Sequence, residues 1–200
     1  YETTFNYQVA KPLAVVSPTK MNVFYKGVPN PIDVSVPGFS PEDLQVSGQG
    51  VSIKKLKPGK YEVTVLKNAK NTAKIVVKAN GKSIGKPIEF RIDRIPNPTA
   101  SVNGKNQGKI TKGKLAKAQG ILCRLNNFPF DLKYTVTSYD ISMKVGQFPK
   151  TFNKKGNKFD EEVREKILKL KPGSTVSIQN IRAKGDDGTK YPPPIVFTVQ

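Results

Sequence analysis

The residues that could do chemistry are few, and most of them lack a partner. The 200-residue chain has no histidine, no tryptophan and a single cysteine, Cys123. A nucleophilic hydroxyl or thiol works through a general base beside it, and a Ser-His or Cys-His pair cannot be assembled here. A zinc site of Cys and His ligands and an intramolecular disulfide are excluded by the same counts. Cys123 stands in GILCRL among apolar neighbours and reads as a core residue. The segment GKITKGKL, residues 108–115, has the glycine and lysine spacing of a phosphate-binding loop. Leu115 takes the place where Ser or Thr would hold magnesium, and no apolar strand leads into Gly108, so the segment reads as a solvated basic turn. Asp186-Asp187-Gly188 with Asp140 offers carboxylates for calcium, but the spacing fits no twelve-residue loop, and Asp-Gly is an ordinary turn. Glu161, Glu162 and Glu165 read as a solvated helix face rather than a hydrolytic pair. The expectation is a protein that is not an enzyme and needs no cofactor or metal.

Binding chemistry remains. The formal net charge is +19, from 34 basic and 15 acidic residues. About +8 falls up to Asn97 and +11 after it. Such a surface attracts anionic partners in a salt-sensitive way. Only 5 of the basic residues are arginine, the better bidentate reader of phosphates and bases, and no nucleic-acid-binding pattern is present, so nucleic acid is not the expected partner. Aromatic residues beside basic loops make better candidates. GQFPKTFNKK places Phe148 and Phe152 among Lys150, Lys154 and Lys155, and GTKYPPPI places Tyr191 beside three prolines. These six residues are the expected partner-binding set. Phe128 and Phe130, around Pro129, fit equally well as contacts or as plugs at the end of a sheet sandwich.

The elements that must position these residues are mostly strands. Ile32, Val34 and Val36 alternate with polar neighbours. So do Val51 and Ile53, then Tyr61, Val63 and Val65, then Ile75, Val77 and Ala79, then Ile88, Phe90 and Ile92, with turns between the runs. Strands at this spacing predict an immunoglobulin-like β-sandwich over residues 1–95. Prolines at 29, 31 and 37 are expected at strand ends, in a short strand that crosses from one sheet to the other through a stiff kink. Ser40 before Pro41-Glu42-Asp43 reads as the cap of a short helical turn. RIDRIPNPTASVNGK, residues 91–105, reads as the end of the first domain and a semi-rigid linker that fixes the angle between the domains.

Residues 96–200 read as a terminal β domain with one helix near 159–170. Ile121, Cys123 and Leu125 are strand-like. Phe130, Leu132, Tyr134 and Val136 alternate, then the phase changes near Thr137 and Ser138, which predicts a bulge before Tyr139, Ile141, Met143 and Val145. In FDEEVREKILKLKPG, Phe159, Val163 and Ile167 share one face, with acids in the first turn and lysines near the end. Strands over STVSIQNIRAKG and IVFTVQ close the domain. The chain opens at Tyr1 without a signal peptide or an apolar run of membrane-spanning length, as a piece of a longer protein would.

Three stretches carry a resemblance to a known family. SPTKMNVFYKGVPNP followed by IDVSVPG (Ser17–Gly38), FRIDRIPNPTA (Phe90–Ala100), and FDLKYTVTSYDI with NKFDEEVREKILKLKPGSTVSIQNIRAKGDDGTKYPPPIVFTV are similar to the GldM family, called PorM in non-gliding relatives. The resemblance covers nearly the whole chain. It implies the third and fourth periplasmic domains of a protein with one inner-membrane helix and a long dimeric shaft. With its partner GldL, the membrane part of such a protein forms a proton-gradient-driven motor. The shaft reaches an outer-membrane-associated ring lipoprotein and that lipoprotein's periplasmic partner, and it energises type IX secretion and gliding. The implied role of this chain is the distal shaft and tip, in the periplasm and as a homodimer. GldL would be met only through parts outside this chain. A different class, a secreted carbohydrate- or surface-binding β module, would instead show a shallow aromatic platform.

Overall fold

The structure, a computed structural model, describes residues 21–200. The first two strands show what the prolines do. β1 (Val23–Lys26) runs parallel to β8 (Ile88–Arg94), with Val23 opposite Arg91 and Lys26 opposite Arg94. Gly27, at a φ of 89°, turns the chain out of that sheet, and β2 (Asn30–Asp33) joins a different sheet, antiparallel to β5 (Lys60–Val65). Pro31 lies within β2, an edge strand, where a lost ladder donor is tolerated. Asn30 stitches the crossing. It is 2% exposed. Its Nδ2 donates to the carbonyls of Tyr25, Val28 and Val63 at 3.0, 3.0 and 3.2 Å, and its Oδ1 accepts from the Tyr25 N–H at 2.8 Å.

β3 (Leu44–Gln49), β4 (Val51–Lys57), β6 (Thr72–Ala79) and β7 (Lys82–Ser83) complete the first unit, which ends at Arg94. One sheet has the order β1-β8-β6-β3, with β7 on β6; the other is β2-β5-β4. Both contribute to one core. Phe24, Ala73, Ile75 and Ile92 come from the first sheet, and Val51, Val63 and Val65 from the second. Phe24 stacks on Phe90 at 4.1 Å. Two details differ from the sequence reading. The stretch around Gly48, taken as a turn, is the end of strand β3; a side chain at Gly48 would meet Val51 Cγ2 at 2.5 Å, so glycine here marks close packing between strands. Ser40–Asp43 is a single turn closed by Asp43 N–H on Ser40 C=O at 3.0 Å, with no helix.

The second unit is Ile95–Gln200. Most of the expected linker is strand: residues 91–94 finish β8, and Thr99–Val102 form β9. Then come β10 (Gln107–Ile110), α1 (Lys112–Ala116), β11 (Ile121–Arg124), β12 (Thr135–Val145), β13 (Phe148–Lys155), α2 (Glu161–Leu168), β14 (Thr175–Gly185), β15 (Gly188–Lys190) and β16 (Ile195–Val199). The main sheet has the order β10-β16-β14-β12-β13 with β15 on β14, and β11 pairs with β9. The β12–β14 register shifts between Val136 and Ser138 and again between Ser138 and Asp140, where the phase change predicted a bulge.

One face of this sheet is packed and the other is wet. Val136, Ile141, Met143, Val176, Ile178, Ile195, Phe197 and Val199 point into a single core with Val163 and Ile167 of α2. Asp160 caps α2 by accepting from Val163 N–H at 3.0 Å, and Glu161 and Glu162 fill its first turn, where a helix favours negative charge. The segment read as a basic turn holds the short helix α1, capped by Thr111, with Leu115 and Ala116 buried. Arg164 of α2 joins the two helices. Its guanidinium donates to the carbonyls of Phe159, Ala116 and Ala118 at 2.8, 2.6 and 3.1 Å, which gives the end of α1 the donors it lacks.

Candidate partner-binding site

The β12–β13 hairpin positions most of the candidate residues. It closes through Gly146-Gln147, with Gly146 at a φ of 66°, the left-handed conformation that a two-residue hairpin turn requires and glycine adopts freely. Strand alternation then sends Phe148, Lys150, Phe152 and Lys154 to the packed side, and Pro149, Thr151, Asn153 and Lys155 to the wet side. Phe148 lies at the hairpin end, beyond the core, and is 77% exposed. Phe152 pairs with Ile141 over the middle of the core and is 6% exposed. The expectation that Phe152 presents itself to a partner is therefore corrected: its ring is a core ring. The edge of the sheet lets two ammonium groups reach that ring, Lys150 Nζ at 4.9 Å and Lys154 Nζ at 5.5 Å from its centroid.

Lys154 also differs from its expected role. Its Nζ donates to Asp160 Oδ2 at 2.7 Å and to Glu162 Oε2 at 3.0 Å, so it ties β13 to the start of α2. The hydrogen bond to Asp160, ahead of the other contributions, raises the lysine's affinity for its proton. The same bond, with the Val163 N–H, holds the Asp160 carboxyl below its ordinary value. Lys150 and Lys155 are exposed and take part in no ion pair among the described residues.

On the wet face the bulge in β12 opens a shallow groove of about 450 Å³, lined by Ser138, Asp140, Asn153, Lys155, Arg182 and Tyr191 among others. Tyr191 is 59% exposed at its rim. Inside it Asp140 is fully engaged: Asn180 Nδ2 donates to Oδ2 and Asn153 Nδ2 to Oδ1, both at 2.7 Å. These two bonds, Asn180 first, hold the Asp140 carboxyl below its ordinary value. Beside it, Ser142 and Thr151 hydroxyls lie 2.8 Å apart. Sequence reasoning missed this amide-bound carboxylate. Asn180 reaches it from the bulged part of β14 with a φ of 52°, and asparagine's tolerance of that conformation is the one signal the sequence carries.

The other carboxylates are structural. Asp187, its side chain 2% exposed, accepts from the Tyr134 hydroxyl at 2.8 Å and lies 3.1 Å from Lys190 Nζ, which in turn donates to Ile95 C=O at 2.7 Å. Asp187 and Asp140 are not brought together, and among the described residues no three metal-ligating side chains cluster. Cys123 is buried, and burial pushes its thiol up to about 11, the reverse of an activated nucleophile. Phe128 and Phe130 pack at 5.7 Å and line an open groove beside β11 with Leu122 and Leu132.

These features define a class: a sheet-built protein in two units, with exposed aromatic and basic side chains on one hairpin and, among the described residues, no cluster of metal-ligating side chains. The comparisons make that class specific. The GldM third-domain model matches residues 13–93, and the GldM C-terminal-domain model matches residues 96–200. The chain belongs to the GldM family of type IX secretion and gliding-motility proteins and consists of non-catalytic domains. No curated protein matches it. Among solved structures it is similar to the Yersinia pseudotuberculosis adhesin InvE, at 12% identity over 90% of this chain and 57% of that one, with a TM-score of 0.27. It is also similar to Yersinia pseudotuberculosis InvD, at 11% identity over 79% and 58%, with a TM-score of 0.22. An endo-fucoidan hydrolase of glycoside hydrolase family 107 gives 10% identity over 96% and 30%, with a TM-score of 0.29. The chain thus spans under two thirds of each, and likenesses at these scores carry no argument.

Proposed function

We propose that this chain is the distal shaft and tip of a periplasmic, proton-gradient-driven motor protein. In this reading the first unit is an immunoglobulin-like shaft module, the junction near Arg94 and Ile95 is stiff, and two copies pair as a homodimer. The second unit meets the outer-membrane-associated ring lipoprotein and its periplasmic partner. GldL is met elsewhere in the family architecture, through a membrane helix; among the described residues no helix is long and apolar enough to cross a membrane. Family membership over both units supports the reading.

The observation that carries the tip assignment is the β12–β13 hairpin. Phe148 stands free of the core at its end with Lys150 on the same side, and Lys155 lies at the far end of β13 on the other face, beside the groove that Tyr191 rims; among the described residues neither lysine is in an ion pair. An exposed aromatic at one end of a strand that carries unneutralised lysines on both faces fits a protein surface of opposite sign. Binding of the purified ring proteins to the Lys150→Glu, Lys155→Glu double variant tests it. The expected loss is about tenfold or more, larger at low salt, since exposed charges act over a Debye length. Unchanged affinity at low salt removes the assignment. Sedimentation of the chain as an elongated dimer, independent of concentration, tests the pairing.

A further inference from the structure

The same hairpin leaves a sheet edge open. β13 ends the order of its sheet and, among the described residues, pairs with β12 alone. The parity of the ladder follows from its two ends. The two-residue turn brackets Val145 and Phe148, and Gly156 N–H donates to Thr137 C=O at 2.7 Å. Even-numbered residues of β13 therefore turn their N–H and C=O groups toward β12. Pro149, Thr151, Asn153 and Lys155 turn theirs outward. Pro149 has no N–H to offer, so the usable edge begins after it, from Thr151 to Lys155.

A second lysine-bearing edge shows how an edge is closed. β4 also pairs with one neighbour, but its register slips between Lys55 and Lys57 and it stops at Pro58-Gly59. A slipped, twisted edge is a poor template. β13 keeps continuous register with β12 over its whole length, Phe148 to Lys155. A straight edge with free donors and acceptors is the geometry that strand addition uses.

We propose that the β13 edge from Thr151 to Lys155 accepts an extended acidic segment of a protein partner as an added strand. The proposal rests on the ring-contact reading and specifies its mode. Charge selects the occupant. Antiparallel pairing of two copies along this edge would gather Lys150, Lys154 and Lys155 of both strands into one ladder, and like charges that close repel. An added strand turns alternate side chains to opposite faces, so a segment with acids at alternate positions places them beside Lys155 on the wet face, which no acid of the described residues neutralises. Pro149 sets where the added ladder ends, and Phe148 lies just past that point for one apolar contact.

Amide hydrogen exchange on the full chain tests this, with a synthetic peptide alternating valine and glutamate as the probe and its valine–lysine counterpart as control. The glutamate peptide should slow exchange at Thr151, Asn153 and Lys155 about tenfold or more, leave Lys150 and Phe152 unchanged, and lose this effect when lysine replaces glutamate. Thr151→Pro removes an outward donor without touching the β12 ladder and should weaken binding about tenfold, the equivalent of one hydrogen bond. Thr151→Val keeps the donor and should bind as the parent does. Absence of protection, equal protection by the lysine peptide, or parent-like binding by a folded Thr151→Pro protein overturns strand addition. If Thr151→Pro does not fold, the exchange pattern of the parent chain decides alone. Against the purified ring proteins, weakening by Lys150→Glu with Lys155→Glu but not by Thr151→Pro keeps the ring contact and rejects the added strand. If none of these variants alters ring binding, the ring-contact reading fails, while the peptide exchange still decides the edge.

Discussion

Among the described residues, seven buried apolar side chains form the core shared by the two sheets of the first unit; in the second unit, twenty-five form one continuous core that also takes in both helices. The first unit buries a polar residue at the crossing of its sheets; the second buries far more apolar area. Asn30 holds four backbone groups at the crossing between sheets, so the fold of the first unit hangs on hydrogen-bond satisfaction as much as on burial. The second unit uses polar side chains at helix ends and on the wet face, buries the Asp187 carboxylate against Tyr134 and Lys190, and fills its interior with aliphatic and aromatic side chains. A small sandwich can position strands with few apolar residues when one side chain fixes their crossing. In the larger domain the β12–β13 hairpin gives Ile141, Met143 and Phe152 to the core, while Phe148, Lys150 and Lys155 stay outside it and are left for binding.

This contrast predicts two separable unfolding transitions in calorimetry. Phe197→Ala should have the largest effect, about 4 kcal/mol from the second unit's transition, and leave the first in place. Asn30→Leu should cost about 3 kcal/mol, by stranding the carbonyls that Asn30 serves, and lower only the first. If either substitution moves both transitions equally, the units do not unfold independently and the contrast fails.

Alkaline titration sharpens the comparison. The Cys123 thiol rises from 9.0 to about 11 through burial. The folded state thus holds this proton more tightly than the unfolded chain. The contribution is fully present below pH 9 and is lost as pH climbs through about 11; for Cys123 it is on the order of 2–3 kcal/mol. The hydroxyls of Tyr134 and Tyr139 are raised in the same direction, chiefly by burial, as is that of Tyr61 in the first unit. Raising pH from 9 to 11 should lower the second transition more than the first, and Cys123→Ala should reduce that difference. The smallest effect is expected from Lys154→Met: its acid partners are half exposed, so the loss should stay below about 1 kcal/mol in the second transition.

The strands with clean alternation were legible in the sequence: Tyr61 to Val65, Ile75 to Ala79, Ile195 to Val199, and the bulge before Tyr139. The capped helix over Glu161–Leu168 was legible too, because its apolar spacing and its end charges agree. β13 was not. FPKTFNKK has one buried side chain, and an edge strand needs no more than that, so no period shows. β3 hid behind Gly48, which serves packing, next to Gly50, which turns the chain at a φ of 79°. α1 hid among lysines because one turn of helix has no period to read. At the site, Phe148 and Phe152 are the same residue type on the same side of one strand. Their different fates come from which of them lies over the core, a fact of the sheet rather than of the neighbouring letters. Lys154 looks as free as Lys150 until the first turn of α2 is placed beside it.

The parallel pairing of β1 with β8 has a mechanical meaning. These are the first described strand and the last strand of the first unit, they lie side by side, and they point the same way from Val23 to Lys26 and from Arg91 to Arg94. A pull that draws the two ends of the unit apart acts along this pair, in opposite senses on its two members. The strain is then shared by every rung of the ladder at once, as in shear, rather than peeling rungs off singly from one end.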